Sequence, residues 1–203
     1  MNYSALYINV FMGAALITFK AFSFAPEINQ ESNKVSIMSN ETVNHDNWHI
    51  TNDGVMGGLS EGAIDIENNN IKFFGTISTE NNGGFTSTFK RISSLPKYID
   101  SIRVRVKGDG NLFQLRVISQ VSRYSLAYKV SFLTDANKVT SHTFKLADFT
   151  ASFRGREIDN APLLTASTIE QIGFLYTKKQ PGSFVLSIQD IDFFESQREK
   201  DHQ

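Results

Sequence analysis

The sequence predicts an all-β protein in which two antiparallel sheets pack face to face. Short runs of residues alternate between apolar and polar, and residues that favour turns separate these runs. After residue 43, no segment of ten residues keeps apolar side chains at helical spacing. Helices are therefore expected only as single turns in the connections.

The stretch 102–107 is the clearest strand, because Ile or Val alternates with Arg or Lys along it. After Gly108-Asp109-Gly110 the alternation resumes, with apolar residues at 113, 115 and 117. We expect these two strands to form a hairpin, with the glycines supplying the positive φ of its turn.

The other expected strands share the same alternation, and the last of them changes phase near Asp190, which predicts a bulge there. They lie at Trp48, 63–66, 71–78, 84–90, 127–133, 139–146, 169–177 and 183–194.

The first 25 residues resemble an export signal. Residues 5–19 are almost wholly apolar, and Ser23-Phe24-Ala25 provides the small residues that a signal peptidase requires. A mitochondrial presequence is rich in Arg, but the first Arg of this chain is Arg91. We expect export to a periplasmic or extracellular site, or anchoring by an uncleaved segment, rather than mitochondrial import.

Three further segments follow from composition. Residues 26–43 are mostly polar and are expected to form a linker. Residues 44–195 carry the strand pattern and form the predicted sandwich domain. Residues 196–203 are wholly polar and form the predicted tail.

The charge and cysteine content exclude several classes of function. The chain has 20 basic and 21 acidic residues, a formal net charge of -1, so it lacks the basic surface expected of a nucleic-acid-binding protein. It contains 0 Cys, which excludes disulfides, thiolate metal sites and a cysteine nucleophile.

No catalytic constellation is predicted. The sequence GLSEG at 58–62 matches the G-x-S-x-G nucleophile elbow, but that motif requires a helix after the serine, and 63–66 has the pattern of a strand. Ser60 is therefore expected to be a turn residue. Asp190 and Asp192 are expected to be solvated acids at the end of a strand.

No metal site or cofactor is predicted from the histidines. His45 and His49 stand four residues apart, but that spacing brings imidazoles together only on a helix, and His142 lies in a separate strand. One alternative is kept open, a structural calcium ion held by oxygen ligands of the loop 65–70.

Several glycine-rich strings resemble the complex I intermediate-associated protein 30 family in their order and spacing, over about residues 44–194. They are WHITNDGVMGGLS (48–60), GTIS (75–78), ENNGGF (80–85), RVKGDG (105–110), DF (148–149), FRGR (153–156), IGF (172–174) and PGSF (181–184). The resemblance implies a galactose-binding-like jelly roll and a non-enzymatic role. It also implies a protein partner, because the mitochondrial family assists assembly of NADH:ubiquinone oxidoreductase by binding its unfinished membrane arm.

The candidate binding residues are those that combine aromatic, amide and charged groups near these loops: Trp48, Asp53, Met56, Asn82 and Arg154. Two hypotheses follow. The first is a protein-binding module of the assembly-factor or chaperone type, whose partner is a subunit of a membrane complex. The alternative is an exported carbohydrate-binding module. Trp48 itself is expected in the core, with an exposed sugar-stacking platform as the alternative.

Overall fold

A computed structural model describes residues 33–38, 47–121, 124–153 and 156–196, without the side chains of residues 55, 56 and 124. Its thirteen strands are β1 (Lys34–Ser36), β2 (Trp48–Asn52), β3 (Glu61–Glu67), β4 (Asn70–Ile77), β5 (Phe85–Arg91), β6 (Ser101–Gly108), β7 (Leu112–Val121), β8 (Tyr124–Leu133), β9 (Val139–Lys145), β10 (Thr150–Phe153), β11 (Arg156–Glu157), β12 (Ile169–Thr177) and β13 (Gly182–Phe194). Within the described ranges, the helices are single 3₁₀ turns, and none is long and apolar enough to cross a membrane.

The strands form two antiparallel sheets, which confirms the predicted fold class. The six-stranded sheet has the order β3-β4-β13-β6-β9, with β1 also paired to β13. The seven-stranded sheet has the order β11-β10-β8-β7-β12-β5-β2. Aromatic rings join the two sheets, since Phe184 of the first packs against Tyr176 of the second with ring centroids 4.5 Å apart. The core lies between the sheets.

The prediction that residues 101–108 and 112–121 form a hairpin is wrong. β6 and β7 belong to different sheets, so the connection between them crosses from one sheet to the other. The Asp109 carboxylate fixes this crossing by accepting hydrogen bonds from the backbone N–H groups of Asn111 (3.1 Å) and Val185 (2.9 Å). Gly110 has a φ of 90°, as its predicted turn required. The bulge predicted in β13 is confirmed between Ile188 and Asp190.

The interpretation of residues 26–43 as a linker does not hold for residues 34–38. β1 pairs with the end of β13, and Met38 is buried in the core. An ion pair reinforces this contact, since Lys34 Nζ lies 3.1 Å from a carboxylate oxygen of Asp192. Asp192, which was expected to be solvated, is buried, and Arg103 binds its second oxygen at 2.8 Å. Three strand residues are too few to produce a recognisable alternation.

The structure tests the prediction for the C-terminal end of the chain but not the prediction for the N-terminal end. Residues 1–25 lie outside the described residues, so the export signal stays a prediction. Ser196, the first residue of the predicted tail, is bound to the domain: its backbone N–H and its hydroxyl each donate to the Asp100 carboxylate at 2.7 Å. The remainder of the tail is outside the described residues.

Trp48 lies at the start of β2 and is packed into the core, with 6% of its surface exposed. It stands opposite Lys90 of β5, and the next residue, His49, is exposed on the other side of the strand. This agrees with the prediction of a core tryptophan and disagrees with a sugar-stacking platform.

Asp53 connects the two glycine-rich loops that the sequence singled out. It follows β2 directly, and its carboxylate is buried. One oxygen accepts the backbone N–H of Ser60 at 2.9 Å, and the other accepts those of Gly84 at 2.6 Å and Phe85 at 3.2 Å. The loop between β2 and β3 is thereby joined to the loop between β4 and β5.

The glycines of these loops make room for the carboxylate. A Cβ at Gly58 would overlap the carboxyl group of Asp53, and a Cβ at Gly83 would lie 2.6 Å from its oxygen. Burial alone would raise the pKa of Asp53, but hydrogen bonds from Ser60, Gly84 and Phe85 stabilise the charged form and hold the pKa below its ordinary value. The loop glycines therefore serve close packing around an ionised carboxylate.

Replacement of Trp48 by Ala is expected to destabilise the domain by about 3–5 kcal/mol, because it removes a buried aromatic ring and leaves a cavity. Chemical denaturation measures this loss, with His49→Ala as the matched control at the exposed neighbouring position. A loss below about 1 kcal/mol, typical of an exposed site, would contradict the core assignment.

Replacement of Asp53 by Asn is expected to cost about 2–4 kcal/mol, because the amide NH₂ then faces backbone N–H groups and a charged acceptor is lost. The folded pKa lies below the ordinary value of 3.8, so the stabilisation is present above that pH and is lost as pH falls through the folded pKa. Denaturation curves from pH 7 to acid should therefore converge for wild type and Asp53→Asn. The exposed Asp159→Asn is the control, and parallel curves for Asp53→Asn would show that the carboxylate charge is not what holds the loops.

Candidate functional site

The structure brings together only part of the predicted binding cluster. Asp53 is buried at the loop junction, and Asn82 is exposed in the adjoining 3₁₀ turn Glu80–Asn82 with a φ of 59°. Trp48 lies at the opposite end of β2, inside the core. The side chain of Met56 and the whole of Arg154 lie outside the described residues. A convergence of all five on one ligand therefore stays a prediction, and two of the five are occupied by structural contacts.

The serine of the G-x-S-x-G string is a structural residue. A strand, β3, begins directly after it, as predicted. Ser60 is buried, and its hydroxyl oxygen accepts the backbone N–H of Ser78 and donates to the Ser78 carbonyl, both at 3.1 Å. Ser60 is thus more than a turn residue, because it joins the same two loops as Asp53.

The candidate metal ligands do not gather in the part of the chain that the structure describes. No group of three or more His, Asp or Glu side chains suited to a metal occurs there. The loop 65–70 is a tight hairpin turn in which Asn68 and Asn69 adopt φ of 50° and 63°. The calcium alternative stays a prediction. His142 packs against Phe132 with ring centroids 4.9 Å apart, and burial lowers its pKa.

The outer face of the seven-stranded sheet, the side that points away from the six-stranded sheet, carries a distinct set of side chains. Its central row runs across five strands through Lys129, Arg116, Gly173, Phe89 and His49. Because strand side chains alternate between faces, these residues lie opposite the buried ones on the same strands. The row therefore combines cations, an aromatic ring and a position without a side chain.

Gly173 is where the Phe89 ring rests on the sheet. A Cβ at Gly173 would lie 2.6 Å from Cδ1 and 2.8 Å from Cγ of Phe89, so any other residue would displace the ring. Phe89 therefore lies against the backbone next to Arg116. The aromatic ring and the guanidinium are neighbours on one surface.

Arg116 is half-buried in the middle of this face. Its Nε donates to Oε1 of Gln114 at 3.1 Å, and among the described residues it has no acidic partner. Burial lowers its pKa. Lys129 beside it is neutralised, since its Nζ lies 2.9 Å from a carboxylate oxygen of Glu157. Arg116 thus presents an uncompensated charge.

Apolar side chains lie on the same face, two rows along the strands from this charge. Leu112 and Leu133 form a cross-strand pair on the outer face and are 55% and 62% exposed. Leu175 stands opposite Gln114 in the row between, but it is buried. Large exposed apolar side chains in a contiguous group are typical of an interaction surface rather than of a solvated sheet.

An open cleft of about 1040 Å³ lies on the six-stranded sheet. Phe74 forms its floor and is flanked by Ala63 of β3 and Val185 of β13. The Lys72 ammonium lies 5.4 Å from the centroid of the Phe74 ring, and Asp109 lines the edge. The cleft thus combines an aromatic ring with charged and polar groups.

Sequence reasoning missed both surfaces, although one signal for the first was present. The alternation that placed residues 113, 115 and 117 in the core also places Gln114 and Arg116 together on the opposite face. The sequence did not show which strands lie beside these two residues, because β12 and β5 are distant in the sequence.

Solved structures with a similar fold include carbohydrate-binding modules and an agarase. The family 11 carbohydrate-binding module of the cellulosomal cellulase Lic26A-Cel5E of Clostridium thermocellum has a TM-score of 0.62 at 15% identity, covering 83% of this chain and 98% of that chain. The same family's module in complex with a β-1,3-1,4-mixed-linked tetrasaccharide gives 0.59 at 18%, covering 81% and 96%. The agarase AgWH50C gives 0.52 at 7%, covering 81% of this chain and 25% of its own. At such identities the likeness shows the jelly-roll fold.

No curated protein sequence matches the chain significantly. The sequence pattern of the family described as Complex I intermediate-associated protein 30 (CIA30) matches residues 35–188. The match begins within β1 and ends within β13, so it spans both sheets and includes the strand that composition alone had assigned to a linker. The chain therefore belongs to the complex I intermediate-associated protein 30 family.

Proposed function

We propose that this protein is a non-enzymatic protein-binding module of the assembly-factor type, and that it binds its partner through the outer face of the seven-stranded sheet. The observation that carries this proposal is the exposed Leu112–Leu133 pair in the same face as Arg116. Burying such leucines against a partner gains roughly 25 cal/mol per Å² of apolar surface. Membership of the CIA30 family supports a protein partner, such as a subunit of a membrane complex.

The geometry of the described residues also favours binding over catalysis. Ser60 is held by Ser78, and Asp53 accepts backbone N–H groups, so both are occupied in joining loops. His142 is packed among aromatic rings, and its Nε2 is hydrogen-bonded to the hydroxyl of Thr140 at 2.9 Å. None of these groups forms a nucleophile and base pair.

The test is co-purification from native membranes with the full chain, followed by identification of bound proteins by mass spectrometry. Wild type should retain a defined set of proteins that the double variant Leu112→Ser, Leu133→Ser loses by roughly tenfold, because an apolar contact of two side chains is removed. Leu163→Ser, at a loop position that is 79% exposed, is the control. Equal retention by the double variant and the control would refute this surface as the partner site.

Saccharide binding is the second candidate, and the cleft beside Phe74 favours it. The volume of about 1040 Å³, the aromatic floor and the Asp109 and Lys72 side chains suit a short oligosaccharide. A module of the same fold is known in complex with a β-1,3-1,4-mixed-linked tetrasaccharide. This candidate uses the other sheet, so the two are separable by mutation.

Titration with that tetrasaccharide, followed by NMR, tests the second candidate. Binding should perturb resonances of Phe74 and its neighbours, and Phe74→Ala should weaken it by roughly tenfold through loss of ring stacking. Tyr98→Ala, at an exposed aromatic residue elsewhere, is the control. An absence of perturbation at millimolar saccharide would remove this candidate.

A further inference from the structure

The guanidinium of Arg116 has unused hydrogen-bonding capacity. Its Nε is taken by Gln114 at 3.1 Å, and its two terminal nitrogens have no hydrogen-bond partner among the described residues. A guanidinium carries five N–H donors in a planar fork, and the two terminal nitrogens form the edge that fits a carboxylate. That edge is available for an external acceptor.

The surroundings make this unpaired charge costly. Arg116 is half-buried between β8 and β12, with Phe89 lying over the neighbouring Gly173. Partial removal from water disfavours a charge that has no counterion. Lys129, one strand away, is paired with Glu157, whereas Arg116 is not. Arg105 and Lys107 on the other sheet also have no ion pair among the described residues, but they are exposed, whereas Arg116 is partly removed from water.

We propose that Arg116 binds the carboxylate of an Asp or Glu side chain in the partner protein, within a segment that also carries apolar residues. This inference rests on the proposed function and names the chemistry that the outer face recognises. The acid supplies the missing counterion, and apolar residues of the same segment cover Leu112 and Leu133. The face thus recognises one charge and one apolar contact.

The neighbouring side chains favour a protein segment over an acidic sugar. A uronate would present its carboxylate equally well to Arg116, but sugar rings that continue along β7 would place hydroxyl groups against Leu112 and Leu133, which offer no hydrogen bonds. Apolar side chains further along a protein segment match this surface, because they become buried against the exposed leucine pair.

A peptide experiment tests the inference with the full-length protein. Displayed heptapeptide libraries carry a fixed central Glu or, in a twin library, a fixed central Gln. Selected peptides are synthesised and their Kd is measured by fluorescence anisotropy. Wild type should prefer the Glu peptides, by roughly tenfold or more over their Gln twins, since a charge-assisted hydrogen bond is worth more than a neutral one. Apolar residues should be enriched toward one end of the peptide, where they reach Leu112 and Leu133.

Variants then assign the preference to Arg116. Arg116→Gln should bind Glu and Gln peptides equally, Arg116→Lys should keep part of the preference, and Lys129→Gln should keep nearly all of it. The melting temperature of Arg116→Gln should be unchanged or higher, because no internal ion pair is lost. A clear fall in its melting temperature would indicate a structural role and overturn the inference.

The other outcomes separate the two proposals. Peptides that bind wild type with no preference for Glu, or whose preference survives Arg116→Gln, overturn the role of Arg116 but leave a protein-binding face. Failure of wild type to select any peptide overturns the inference and counts against the proposed function as well. Binding of oligogalacturonate that depends on Arg116, in place of peptides, would show that the carboxylate is a sugar's.

Discussion

The buried carboxylate of Asp53 is the interaction on which the arrangement of the loops depends. Three backbone N–H groups converge on it, one from residue 60 and two from residues 84 and 85, so they join two loops that are far apart in the sequence. An ionised group removed from water is stable only when such donors replace the solvent. Because β3 and β5 begin at these donors, the carboxylate fixes where a strand of each sheet starts. Glycines are required around the carboxylate, because a Cβ at those positions would overlap it.

Sequence periodicity was sufficient for the strands of five or more residues, because alternation reports which side chains face a core whatever the partner strand is. The shorter strands β1, β10 and β11 were not predicted. The bulge near Asp190 followed from the same pattern, as a break in phase. The sequence did not show which strands pair with each other. The Gly108-Asp109-Gly110 turn satisfies the local requirements of a hairpin, yet β6 and β7 pair with strands of different sheets. Lys34 and Asp192 illustrate the same limit, since their ion pair joins positions that only the fold brings together.

The site shows what local composition can and cannot reveal. Asp53 and Asn82 were singled out as charged and amide groups in the glycine-rich loops, but the glycines at 58 and 83 mark close packing around Asp53, which is a structural residue. Arg116 was overlooked because a basic residue on the wet side of a strand is ordinary. Its distinction is the absence of an acid near it in the described part of the fold, and this depends on β8, β12 and β5 being its neighbours.

The two outer faces of the sandwich treat their cations differently. On the six-stranded sheet, Arg103 and Lys34 share Asp192, and Lys72 pairs with Glu67 at its own hairpin. These ion pairs contribute to holding β1 and β4 in place, while Arg105 and Lys107 on the same sheet have no ion pair among the described residues but are exposed. On the seven-stranded sheet, Arg116 has no acidic partner in the described part of the chain and is half-buried, two rows along the strands from the exposed Leu112–Leu133 pair. A half-buried guanidinium without a counterion and a pair of exposed leucines do not stabilise this face in water, and both are features that a covering partner would satisfy.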